Sequence, residues 1–112
     1  MMQEMNLKAF VNYVELSARP MTPEDMSRNN LDILAVSHAL SGELGELQNI
    51  LKKHYRDGGW LDRHAVILEL GDVFHYFVRL LSELGFTLEE VMVQNIDKLE
   101  HRRRENGKSK AT

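Results

Sequence analysis

Residues 43–46 read Glu-Leu-Gly-Glu, and residues 69–72 read Glu-Leu-Gly-Asp. Both tetrapeptides sit inside apolar residues at helical spacing, so the fold follows from how these two stretches are read. A glycine in a helix interior costs roughly 1 kcal/mol relative to alanine. Acids beside a buried face cost more unless they are compensated. Around the first stretch, Ile33, Val36, Leu40, Leu44, Leu47 and Leu51 form one apolar stripe. That stripe predicts a helix from about Asn30 to Tyr55 or Arg56. Asp57-Gly58-Gly59 should end it, because glycine accepts the left-handed conformation past a helix C-terminus. Around the second stretch, Val66, Leu70, Val73, Phe77, Leu81 and Leu84 predict a helix from about Leu61 to Leu84, stopped by Gly85. The short Gly-Gly connection makes the pair an antiparallel helix hairpin.

Upstream, Leu7, Phe10, Val11 and Val14 predict a first helix over 5–18. Residues 19–29, which hold Pro20 and Pro23, break it. Thr22 is suited there to cap a short turn. Downstream, Thr87 and Glu90 form a capping box that opens a fourth helix carrying Val91, Ile96 and Leu99. Residues 105–112 read as a frayed tail. No strand pattern competes, so the fold class is all-α, a helical bundle built around the hairpin in a single domain over 1–112. Apolar residues at Phe10, Val14, Val36, Phe74 and Val78 exceed what one small core covers. They predict completion by homo-oligomerisation, as a homodimer or homotetramer.

The 112 residues suit one domain with a modest core. The chain has no cysteine, which excludes disulfides and thiolate metal sites. Its net charge of −3 argues against general nucleic-acid binding. No secretory signal and no long apolar run is present, so a soluble cytoplasmic protein with no membrane role is expected.

Glu43 and Glu46 lie about 60° apart on the second helix, on a side that borders the apolar stripe, and Glu69 and Asp72 do the same on the third. An antiparallel hairpin brings all four carboxylates to similar heights. Without metal they repel and raise one another's pKa; Mg²⁺ ions reverse that cost, because hard cations take oxygen ligands. The glycines on the stripe flanks fit close helix approach. Acids at this spacing are also ordinary solvated surface. On the fourth helix Asn95, Lys98 and Arg102 share one face, and an amide, an ammonium and a guanidinium together suit phosphate oxygens. A basic helix end favoured by the macrodipole is the plainer explanation.

An ExxE, a gap of 22 residues, an ExxD and then NxxKxxxR resembles the MazG-like family of all-α nucleoside triphosphate pyrophosphohydrolases, over roughly residues 30–104. The resemblance implies Mg²⁺-dependent hydrolysis, with Mn²⁺ able to substitute, of a nucleoside triphosphate to the monophosphate and pyrophosphate in a homo-oligomer. It makes Glu43, Glu46, Glu69 and Asp72 metal ligands. Asn95, Lys98 and Arg102 would hold phosphate, and Tyr76 would pack near the sugar. Either Glu43 or Glu46 would assist the attacking water. Lys53, nearly in line with Glu46, is either a phosphate contact or a solvated lysine. The five histidines lack paired metal-ligand spacing, and Trp60 reads as a core anchor before a base-stacking group. Two other readings remain open here. One is a di-iron carboxylate bundle, for which only His75 after Asp72 approaches the Glu-x-x-His pattern. The other is a non-catalytic helical interaction module.

Overall fold

The computed structural model describes residues 5–17 and 29–111. Among them four helices and no strands occur: α1 (Leu7–Ser17), α2 (Asn29–Tyr55), α3 (Arg63–Leu84) and α4 (Leu88–Ala111). The turn expected at Thr22 and Pro23 lies outside the described residues.

The termini follow local chemistry. Asn6 Oδ1 accepts the Ala9 N–H at 2.9 Å and so caps α1. At the end of α2, Gly58 takes φ 75° and donates its N–H to the His54 carbonyl, the single-bond left-handed cap. A Cβ on Gly59 would stand 2.9 Å from the Lys53 carbonyl oxygen, so only glycine fits the chain's return there. Asp62 accepts the Ala65 N–H and starts α3. Gly85, at φ 78°, closes α3 with a Schellman pair, in which Gly85 N–H donates to Ser82 and Phe86 N–H to Leu81. The capping box forms as read: Thr87 N–H donates to Glu90 Oε2 at 2.8 Å, and Glu90 N–H donates to Thr87 Oγ1 at 3.1 Å.

Helix α3 is the centre of the molecule. It packs along α2 on one side and against α1 on another. Phe10 stacks on Phe74 with ring centroids 5.0 Å apart, and among the described residues Val14, Val36, Val78 and Leu81 are the buried apolar side chains. These are the very residues expected to be surplus, so the sequence-based argument for pairing named the wrong surface: Val14, Val36 and Val78 form this chain's own core. The uncovered apolar surface is elsewhere. Among the described residues helix α4 packs along no other helix, and Met92, Val93, Ile96 and Leu99 stand exposed on it. The radius of gyration is 18.4 Å, against about 13 Å for a compact chain of this length. α4 is helical through Ala111, past the point where fraying was expected.

Both apolar stripes are corrected in one detail. Leu44 is 44% exposed and Leu70 is 50% exposed, whereas Glu43 and Glu69 are half-buried. Glu43 follows Val36 by two turns and falls on its line. Glu69 falls between Val66 and Val73 in the same way. The acids therefore interrupt the helix contact instead of bordering it.

Trp60 is 88% exposed, so it anchors no core. The turn before it is held by a His54 Nδ1 contact to the Gly59 carbonyl oxygen at 2.6 Å, which leaves the indole outside the fold. A Cβ at Gly42, Gly45 or Gly71 would meet nothing within 4 Å, so these glycines serve no close helix approach within the chain.

Candidate active site

Where α2 meets α3, one carboxylate oxygen each from Glu43, Glu69 and Asp72 lie within 4.8 Å of one another. Glu43 and Glu69 are half-buried and Asp72 is exposed, so the group opens to solvent on its Asp72 side. Glu43 Oε2 and Glu69 Oε2 are shielded from water and have no hydrogen-bond partner. Two ionised carboxylates can only accept, so they cannot satisfy each other. A proton or a cation between them would meet that demand. A proton held against Glu43, together with partial desolvation and the neighbouring Glu46, pushes the Glu69 carboxyl from 4.5 up to about 7. The donor set is all oxygen, anionic, and contains no histidine, which fits a hard divalent cation and departs from a Glu-x-x-His iron site.

Glu46 is exposed and stands outside the three-carboxylate set, yet near enough to act on Glu69. Tyr76 is half-buried one turn after Asp72, with its ring edge-on to His75 at 5.2 Å. Lys53 is exposed; its backbone carbonyl accepts the Gly59 N–H, and among the described residues its side chain makes no hydrogen bond or ion pair.

The phosphate-type residues are held apart from the acids in this chain. Asn95 and Lys98 line an open groove that Phe86, Thr87, Glu90 and Val91 complete, and no member of the acidic group borders it. Arg102 is exposed one turn further along α4. Sequence reasoning passed over Arg79. Its signal was its position seven residues after Asp72, two turns along the same helix face.

A sequence pattern described as the MazG nucleotide pyrophosphohydrolase domain matches residues 32–106. The chain belongs to this family of nucleotide pyrophosphohydrolase domains, and its helical fold agrees with that membership. A similar protein is the Gene 37 protein of Mycobacterium phage L5, 36% identical over 72 residues, which are 61% of this chain and 63% of that protein. The chain thus matches less than two thirds of that relative's length, and the relative's name describes no chemistry. No solved structure matches the chain. Among the described residues no helix is long and apolar enough to cross a membrane.

Proposed function

We propose that this protein hydrolyses a ribo- or deoxyribonucleoside triphosphate to the monophosphate and pyrophosphate, with Mg²⁺ as the physiological ion and Mn²⁺ as a substitute. The observation that carries the reading is the convergence of Glu43, Glu69 and Asp72, with two shielded carboxylate oxygens that no donor among the described residues satisfies. These three residues would hold the metal. When bound, it supplies Lewis-acid polarisation of phosphate oxygens and acidification of water.

The chain's own groups supply the rest. Glu46, a carboxylate left outside the ligand set, accepts the proton of the attacking water. The water oxygen bonds to the α-phosphorus while the bond from that phosphorus to the α–β bridging oxygen breaks. Pyrophosphate leaves with the electron pair. Lys98 and Arg102 neutralise its charge and Asn95 donates a neutral hydrogen bond, a positioning and electrostatic role. Tyr76 lies one turn from Asp72, where it can wall the sugar. Among the described residues the Lys53 side chain has no partner, and it fits a distal phosphate contact as well as open solvent.

The reading further requires two or four chains. Helices α2 and α3 form an antiparallel hairpin that carries the acids, while α4 carries the cations away from them. A second copy that covers Met92, Ile96 and Leu99 would deliver the adjacent Asn95, Lys98 and Arg102 face to an acidic group. Pyrophosphate release from the common ribo- and deoxyribonucleoside triphosphates, with Mg²⁺ and with chelator, tests the activity. Glu46→Gln should lower turnover by about 10²–10⁴-fold while circular dichroism stays unchanged. Undiminished turnover in that variant removes Glu46 from the mechanism.

A further inference from the structure

Arg79 lies on the face of α3 that bears Asp72 and Tyr76, seven and three residues after them, which is about 10 Å and about 4.5 Å along the axis. It is half-buried, and its Nε is shielded from water and donates to nothing. Among the described residues it makes no hydrogen bond and no ion pair. Glu83, one turn on, is the obvious helical partner, but an acid four residues after a cation is the weaker orientation. Helical side chains also lean toward the N-terminus, which sends this guanidinium back over the turn of Tyr76, toward the acids.

A guanidinium stays charged at every working pH, and a shielded N–H without an acceptor is an unmet demand for one. No acceptor among the described residues answers that demand. Asp72 and Glu69, about two and three turns back, themselves require positive charge. A cation-binding cluster and an unsatisfied guanidinium, spaced along one helix face, suit a single extended polyanion whose two ends need different partners. Phosphate oxygens match the planar fork of arginine.

We infer that Arg79 is a further substrate-binding residue, which takes oxygens of the distal phosphates while the α-phosphate lies at Glu43, Glu69 and Asp72. This rests on the pyrophosphohydrolase reading and adds to it a contact from α3 that the α4 cations do not provide. It follows that Arg79 grips the product pyrophosphate as well as the substrate.

The probe is inorganic pyrophosphate, titrated with Mg²⁺ into the full chain by calorimetry and compared among wild type, Arg79→Met and Arg79→Lys. Arg79→Met keeps the aliphatic bulk and removes the charge. Pyrophosphate affinity should fall about 10–150-fold, while the melting temperature and the sedimentation coefficient stay as in wild type. Arg79→Lys keeps the charge but loses the fork, and should recover only part of the affinity. In turnover assays the KM for triphosphate should rise in parallel. Equal pyrophosphate affinity in all three proteins overturns the inference, as does an Arg79→Met protein altered in oligomeric state alone, which would make Arg79 an interface residue. If wild type binds pyrophosphate through Arg79 yet hydrolyses no triphosphate, the proposed reaction fails and the anion contact stands. If wild type hydrolyses triphosphates and Arg79 has no effect on affinity or KM, the contact alone fails.

Discussion

Glu69 is the residue on which the chemistry of the acidic group is concentrated. Its neighbours Glu43 and Glu46, and its partial desolvation, raise its carboxyl to about 7 from 4.5. A carboxyl whose folded value lies above its unfolded value binds its proton more tightly in the folded state. Folding then draws on that proton at low pH, and the advantage disappears as pH rises through the folded value. Metal-free protein should therefore lose stability between pH 4.5 and about 7. Glu69→Gln should flatten that slope, and Mg²⁺ should restore stability at the upper end by filling the gap between the carboxylates. Urea melts across this range, with chelator and with Mg²⁺, measure all three effects; a flat profile for the metal-free wild type would contradict the burial of charge at this position. The glycines two residues after Glu43 and Glu69 behave differently. Nothing lies within 4 Å of a Cβ at Gly45 or Gly71, so Gly45→Ala and Gly71→Ala should each stabilise the isolated chain by up to about 1 kcal/mol through helix propensity. A destabilised Gly45→Ala protein at micromolar concentration would locate a second chain against that face.

Helix α4 is an element whose local signals are complete and whose tertiary role is not met within one chain. Its capping box is formed at both bonds, and its register places Asn95, Lys98 and Arg102 on one face beside the stripe of Met92, Ile96 and Leu99. If this face clamps polyphosphate, the charged members act on every triphosphate alike. Lys98→Ala and Arg102→Ala should each lower kcat/KM by about 10–150-fold for all bases tested. Asn95→Ala should be milder, since it removes a neutral donor. The order of base preference should stay the same in all three variants. A reordered preference would put this face at the base instead of the phosphates.

The whole molecule is longer than a chain of this size needs to be, at 57 × 41 × 33 Å. Its core is a narrow contact of α3 with α1 and α2, and the apolar side chains of α4 face water, Ile96 at 60% exposure. Exposed stripes of this kind mark association surfaces. Ile96→Asp should therefore shift sedimentation toward the monomer and lower activity in proportion to dissociation, with little effect on helix content. Wild-type activity per chain should fall on dilution through the same concentration range. An Ile96→Asp protein that sediments as wild type would remove α4 from the interface.

Sequence alone determined the four helices and where α2 and α3 stop, because caps, left-handed glycines and apolar periodicity act over a few residues; the far end of α4 was not legible in this way. The Thr87–Glu90 box and the Gly58 and Gly85 stops are of this local kind. It also picked out the two acidic tetrapeptides, since their residue types and spacing lie in one helix turn. Which side of each tetrapeptide faces inward was not legible. Leu40, Leu44 and Leu47 make as regular a stripe as Val36, Glu43 and Leu47, and periodicity cannot rank two faces that overlap. The packing of α2 on α3 decided it, turning Leu44 outward and Glu43 in. Only the tertiary structure separated α4 from the acids, exposed Trp60 at the turn and left Arg79 without an acceptor among the described residues. Each of these depends on which neighbours a side chain meets across the fold, and a helix's own sequence states its faces but not what covers them.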